Sequence, residues 1–424
     1  MKKYPVVVLR ASDNCFLDVL RCFAKEDVPV IPVVFTWEGA SPWISEQSKY
    51  YKEPIVIKNP ATDEMEALEQ MIALGEDVLK KYGRKLLLIA TSDTALVFIN
   101  RHYDILGKYF LQQGSKDFNG ECWKELRKDT FYQAMKEHNV SIPLTYPVNT
   151  EADICDVADK MVYPCVYKPS WKTIDNAFQR LHDGKKAVEC ENKEILINRL
   201  KEEVKLGFEV VVQEKIEFEQ LEEEVSCYLY ADVDGNIRMI SAQHKIMEFP
   251  KKYGTGVASR TFFKEELAAL AIEVIKALDW HGFLGVETMY SKKHGKWVVI
   301  EANLRPWLSN YFQAAVGYNY LTMLYRDAMG ELEPYTTTIK PDNCEVFRVN
   351  LTAFIKKCVF ECGDEERGIQ QVLAFMKEHE GNIVFSYAVP QDPAPGYYEL
   401  ETLKKNYPGH DELFDSIEQI MFLK

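Results

Sequence analysis

Gly285-Val-Glu-Thr-Met-Tyr-Ser-Lys-Lys-His-Gly-Lys-Trp-Val-Val-Ile-Glu-Ala-Asn303 reads as two strands joined by a polar turn. With His294 at its centre and Lys292 to Lys296 as the loop, Trp297 faces Ser291 and Glu301 faces Glu287. Directly opposed residues share a sheet face with Cβ atoms roughly 4.5–5.5 Å apart, so the two carboxylates repel each other. Asn303, two residues beyond Glu301, lies on the same face of its strand. Such a trio is costly in an apolar frame unless a cation joins it. Its hard oxygen donors suit Mg²⁺, with phosphate completing the shell. The same spacing also describes two glutamates on a solvated face, because the loop leaves the register open.

Working outward, Tyr163-Pro-Cys-Val-Tyr-Lys168-Pro169 places a lysine at a strand end. Pro169 biases Lys168 toward an extended backbone, from which the ammonium can reach a phosphate as a point charge. Lys128 precedes Asp129, read as the cap of a helix through Phe131, Ala134, Met135 and His138. Taken alone, each lysine reads rather as an ordinary surface residue. Further strands are expected over 161–168, 210–216 and 225–230, and helices over 264–278 and 318–330.

The N-terminal unit, residues 1–115, has a βαβ rhythm: Val6 to Leu9, Phe16 to Ala24, Val30 to Phe35, Glu64 to Tyr82 and Leu86 to Ala90. Such alternation predicts a Rossmann-like parallel sheet covered on both faces. Its first turn, Arg10-Ala11-Ser12-Asp13-Asn14, lacks the glycines of a dinucleotide fingerprint, which argues against NAD or FAD there. A boundary falls where glycine and polar residues cluster near Gln112 to Gly120. A second unit covers 116–330, and residues 331–424 are less patterned, with an extended stretch from Pro390 to Gly396.

The 424 residues carry 51 basic and 65 acidic side chains, a net charge of −14. That balance opposes broad binding to nucleic acid or anionic membrane but allows a local basic pocket. None of the ten cysteines forms a CxxC pair, so zinc and a disulfide framework are not expected. No apolar run approaches the ~18 residues of a membrane span, and Arg10 interrupts the N-terminal apolar run early. A cytoplasmic location is expected.

Taken in order, Lys128, Lys168-Pro169, Val211-Val-Gln-Glu214-Lys-Ile216, Gly285-Val-Glu287 and Val299-Ile-Glu301-Ala-Asn303-Leu-Arg305-Pro306 resemble the ATP-grasp superfamily. Lys168-Pro-Ser-Trp171, Phe249-Pro-Lys-Lys-Tyr-Gly254 and Asn303-Leu-Arg-Pro-Trp-Leu-Ser-Asn310 with Gly317-Tyr-Asn319 resemble its carboxylate–amine ligase branch, which includes D-aspartate ligases. The resemblance implies an α+β ATP-grasp fold after the α/β unit, with a lid subdomain at about 162–240. It implies ATP phosphates on Lys128 and Lys168, and adenine at the backbone of Glu214, Lys215 and Ile216. Ribose falls to Glu224, or to Glu222 or Glu223; this glutamate-rich segment also fits a solvated face. Mg²⁺, with Mn²⁺ as the alternative, falls to Glu287, Glu301 and Asn303. Arg305 lies beside the transferred phosphoryl group, or forms an ion pair with one of those glutamates.

The implied activity is an ADP-forming ligase joining an amino acid carboxylate to an amine, with a peptide or cell-wall precursor among the acceptors. A homodimer is compatible with it. A dicarboxylic donor needs further cations, for which Lys245, Arg260 and His244 are the candidates in a loop from Gln243 to Arg260. Two departures stand out. The lid segment Ser170 to Ala187 has Gly184 alone, with Lys172, Asn176, Lys185 and Lys186 as polar candidates. Trp307 replaces a commonly small residue and narrows an acceptor pocket. The alternatives are a biotin-dependent carboxylase or carbamoyl-phosphate-type enzyme, and an ATP-binding regulatory module without chemistry.

Overall fold

The computed structural model describes residues 3–36, 43–114, 127–171, 173, 177–217, 224–250, 254–332 and 345–422. In the N-terminal unit, β1 (Val6–Arg10), β2 (Val30–Phe35), β3 (Ile55–Ile57), β4 (Leu86–Ala90) and β5 (Phe110–Leu111) form a parallel sheet ordered β3-β2-β1-β4-β5. The unbroken apolar run of β1 serves both faces. Val6 and Val8 pack with Phe16, Val19 and Phe23 of the Asp13–Ala24 helix. Val7 and Leu9 pack with Ala67 and Met71 of the Glu64–Tyr82 helix.

A small sheet follows, of β6 (Thr145–Val148), β7 (Cys165–Pro169), β8 (Val188–Cys190) and β9 (Val210–Glu214), ordered β6-β9-β7-β8. It spans 145–214 rather than about 162–240. The Lys128–Glu137 helix precedes it and begins one residue before Asp129, which therefore lies in the first turn and binds Arg127 instead of capping.

The large sheet contains β10 (Glu224–Ala231), β11 (Ile237–Phe249), β12 (Thr255–Phe262), β13 (Gly282–Ser291), β14 (Lys296–Asn303), β15 (Phe347–Val349) and β16 (Ile383–Phe385). Their order is β14-β13-β10-β11-β12-β15-β16. The segment read as a loop from Gln243 to Arg260 is thus mostly the antiparallel pair β11–β12. One face of this sheet is covered by the Glu265–Ala277 helix, whose Leu267, Ala271 and Val274 meet Val225, Cys227 and Leu229. The opposite face is apolar at one end only, where Tyr228, Tyr230 and Phe283 pack on Trp307 and Tyr320. Its other end carries Glu224, Ser226, Glu287 and Glu301, and there the candidate site lies.

Residues 345–422 continue this sheet through β15 and β16, and their helices pack on β11 and β12. The stretch read as extended ends in a helix, Ala394–Asn406, since Pro393 and Pro395 occupy a helix start, where a missing N–H costs nothing. Arg21 pins this region to the N-terminal unit. Its guanidinium meets Asp392 Oδ2 at 2.9 Å and the carbonyls of Ser386 and Tyr387 at 3.0 and 2.7 Å. Asp392 also accepts from Ser48 Oγ and from the Lys49 amide.

Beside this junction Glu399 accepts both the amide and the hydroxyl of Thr352, while its Oε2 has no partner. Burial pushes its carboxyl up to about 7 from an ordinary 4.5. A raised folded pKa stabilises fully below pH 4.5, and that stability is lost as pH rises through 7. Glu399→Gln should therefore gain on the parent by up to about 3 kcal/mol between pH 4.5 and 7.5. Urea midpoints across that range check this; a constant difference would show that Glu399 ionises normally.

Candidate active site

The register of β13 and β14 builds the site. Ser291 pairs with Lys296 and Tyr290 with Trp297, one residue away from the register expected at the turn. The pairing continues to Thr288 and Val299, then skips Ile300, so that Glu287 faces Glu301 after all. Ile300 is a β-bulge, an extra residue on one strand that re-aims the chain beyond it. Its freed carbonyl is taken up by the Tyr132 hydroxyl, and by Lys168 Nζ at 3.3 Å. Lys168 Nζ also donates to Tyr132 Oη at 2.8 Å.

Lys128 arrives from the other side. Its amide donates to Ser170 O at 2.5 Å, which ties the start of its helix to the end of β7 and sets the two lysines beside β14. Its Nζ meets Glu301 Oε1 at 2.7 Å. Asn303 Nδ2 donates to Glu287 Oε1 at 3.0 Å, so its carbonyl oxygen points elsewhere. The donor set offered by Glu287, Glu301 and Asn303 is entirely oxygen, and it is flanked by two lysines. That chemistry fits a hard divalent ion with a phosphate beside it.

Around this centre the other expected residues take distinct places. Arg305 pairs bidentately with Asp93 of the N-terminal unit at 2.7 and 3.0 Å, rather than with either glutamate. Glu214, at the end of β9, is buried and bound by Lys293 Nζ at 2.5 Å and His294 Nε2 at 3.0 Å from the β13–β14 turn. Burial pushes its carboxyl up, but those two partners outweigh it and hold the group below the ordinary range. Lys215 pairs with Glu189 at 2.8 Å, and Ile216 is buried. Glu224 shares the face of Glu287 and pairs with Lys245 at 2.6 Å.

Lys245 also reaches Glu248 at 3.0 Å, so its charge is already matched. Arg260 and His244 are opposed on β12 and β11, and His244 is opposed to Val225. That is the face turned away from Glu287, so strand alternation removes both from the site. Arg260 instead bonds His244 Nδ1 and Glu345. Trp307 stacks on Tyr228 at 4.2 Å and is buried. Lys185 and Lys186 are exposed; Lys172, Asn176, Glu222, Glu223 and the Lys-Lys-Tyr of 251–253 lie outside the described residues.

Sequence reasoning missed Tyr132, which falls outside the spacing of Phe131, Ala134, Met135 and His138, and Asp93, which gave no signal. It also missed a cavity of about 580 Å³ beside Glu301, lined by Lys128, Tyr132, Trp171, Asn303 and the N-terminal unit's Asp93 and Arg101.

Residues 127–309 match the family model described as ATP-grasp domain. This stretch of the chain has the ATP-grasp fold. It stands after a parallel-sheet unit, in a mixed α/β fold. Among curated proteins the chain is similar to D-aspartate ligase of Enterococcus faecium (strain Aus0004), at 23% identity over 271 residues. That match covers 61% of this chain and 62% of the relative's length. A solved N5-carboxyaminoimidazole ribonucleotide synthetase in complex with ADP superposes with a TM-score of 0.57 at 16% identity, covering 85% of both chains. The biotin carboxylase domain of Hydrogenobacter thermophilus 2-oxoglutarate carboxylase, in complex with MgADP and bicarbonate, gives 0.59 at 15% identity, covering 82% of this chain and 74% of that one. These likenesses establish the ATP-grasp fold.

Within the ATP-grasp fold, Tyr132 secures the bulge that aligns the glutamates. Tyr132→Phe should leave the Ile300 carbonyl with Lys168 as its remaining donor and destabilise the protein by about 0.5–1.5 kcal/mol. Urea unfolding measures this; a loss below about 0.5 kcal/mol would mean that strand pairing holds the bulge unaided.

Proposed function

We propose that the protein is an ATP-dependent, ADP-forming carboxylate–amine ligase that acts on an amino acid in the cytoplasm. The observation that carries the reading is the opposed Glu287–Glu301 pair with Asn303, faced by Lys128 and Lys168 in an ATP-grasp domain. ATP enters this reading as a substrate. Its phosphates lie at Lys128 and Lys168, its adenine at the backbone of Glu214, Lys215 and Ile216, and its ribose at Glu224. Glu287, Glu301 and Asn303 would hold Mg²⁺ or Mn²⁺, which supplies neutralisation of the phosphate charge.

The lysines oppose the repulsion that an approaching carboxylate meets from the phosphates. A donor carboxylate oxygen attacks the γ-phosphorus and ADP leaves, giving an acyl phosphate. An amine nitrogen then attacks the acyl carbon; phosphate departs, the nitrogen loses a proton and an amide remains. Arg305, held in place by Asp93, presents positive charge to the tetrahedral oxyanion. The small sheet closes the site against water, and the Glu214 contacts with Lys293 and His294 fix its hinge end. D-aspartate is the donor suggested by the E. faecium relative, and the acceptor is a small amine or a peptide.

Glu301→Gln removes one carboxylate from the divalent site and is expected to lower ADP release at least a thousandfold, with an unchanged melting temperature without ligand. Release of ADP and phosphate is scored with a panel of amino acids, with and without amines, beside a bicarbonate arm. Turnover with bicarbonate alone would favour the carboxylase alternative. ATP binding without turnover on any arm would favour a regulatory module. An unchanged rate in Glu301→Gln would remove the metal assignment.

A further inference from the structure

The polar face of the large sheet continues past Lys245. Ser259 on β12 is opposed to Lys245 on one side and to Arg348 of β15 on the other. Directly opposed residues share a face, so Arg348 looks out on the same side as Glu224 and Glu287. The neighbouring polar groups are matched: Gln243 donates to Ser259 Oγ at 2.8 Å, Gln313 to Gln243 at 3.2 Å, and Ser241 to Gln313 at 2.7 Å. Arg348 is the exception. Only 6% of it is exposed, and its side chain makes no hydrogen bond or ion pair with the described residues. A guanidinium has five donors, and burying it without partners is strongly unfavourable.

Within the electrostatic reach of Arg348, on the Asp13–Ala24 helix, is Asp18, 5% exposed, whose carboxylate accepts the Tyr311 amide at 3.1 Å. Burial pushes the Asp18 carboxyl up to about 7, and Arg348 is the foremost charge opposing that rise. The two are near enough to interact electrostatically, yet they form no ion pair. Tyr387 and Tyr228 also lie within the field of Arg348. One turn before Asp18, Cys15 Sγ donates to Pro306 O at 3.2 Å, the residue after Arg305. The cluster therefore adjoins the phosphoryl end of the ATP-grasp site.

Opposite charges, buried and unpaired beside a carboxylate-activating centre, suit a zwitterion set between them. We propose that Arg348 and Asp18 form the donor subsite, Arg348 taking the second carboxylate of an acidic amino acid and Asp18 its ammonium group. The assignment rests on the ligase reading for the reacting carboxylate only. It replaces Lys245 and Arg260, which the sheet pairs or turns away, with a cation one strand further on.

The test uses the full chain with MgADP and follows the melting temperature as D-aspartate, L-aspartate, D-glutamate or D-alanine is added. An acidic amino acid should raise it and alanine should not. In Arg348→Met the half-saturating concentration should rise by about a hundredfold, in Arg348→Lys by less, and in Asp18→Asn selectivity for the amino over the deamino acid (succinate) should fall. Equal responses in parent and Arg348→Met would overturn the subsite, as would a parent that ignores every acidic amino acid. So would an Arg348→Met protein that melts several degrees lower without ligand while Arg348→Lys keeps full binding of alanine and aspartate alike. ADP release with a carboxylate of another class, without any response to acidic amino acids, removes the subsite and spares the ligase reading. Aspartate binding without ADP release on any amine does the reverse.

Discussion

Two carboxylates forced to face each other across β13 and β14 are the constraint on which the remaining structure turns. At roughly 5 Å and an effective dielectric of about 20, two unit charges repel by about 3 kcal/mol. The fold accepts this and then surrounds the pair with offsetting groups. Lys128 meets Glu301, and Asn303 meets Glu287. The bulge at Ile300 is part of the same arrangement, because it corrects the register and turns a backbone carbonyl toward Tyr132 and Lys168. A pair held in this way offers the oxygen donors that the proposed divalent ion would need.

Strand alternation sorts the rest of the large sheet into two functions. Odd positions of β10, Val225, Cys227 and Leu229, enter the core beneath the Glu265–Ala277 helix. Even positions, Glu224 and Ser226, stay polar beside Glu287, while Tyr228 and Tyr230 leave that zone for the Trp307 stack. Gly285 has its place at the border, since a Cβ there would lie 3.4 Å from both the Trp307 and Tyr228 rings. Trp307 therefore acts as a wall that ends the polar zone rather than as a restriction on an open pocket.

The βαβ unit and the hairpin were legible from the sequence because each depends on local periodicity: apolar runs in one case, a short turn between alternating strands in the other. The glutamates came out opposed for a reason the spacing did not contain. The turn closes one residue differently from expectation, and Ile300 absorbs the difference. Bulges leave no composition signal, so agreement at Glu301 depended on two offsets cancelling. Arg260 shows the opposite outcome. Its charge and position suggested a substrate contact, but the segment is strand, not loop, and one residue of parity sends it to the far face. Asp93 and Arg348 were invisible because both are placed by pairings between segments more than eighty residues apart.

Those long-range pairings also explain why residues 345–422 belong with the site. Strand β15 is hydrogen-bonded to β12, so the position of Arg348 is set by the sheet that holds Glu287. Its partner in charge, Asp18, sits on a helix whose next inward residue on the same side, Arg21, is anchored through Asp392 to the C-terminal region. That anchor is fully buried and hydrogen-bonded on both sides, and breaking such a pair from one side costs about 3–5 kcal/mol. The N-terminal helix and the C-terminal strand thus cannot separate cheaply, which holds Asp18 and Arg348 in one another's field. Rigid elements of this kind hold charged groups in one arrangement, which is what a subsite built from them would need.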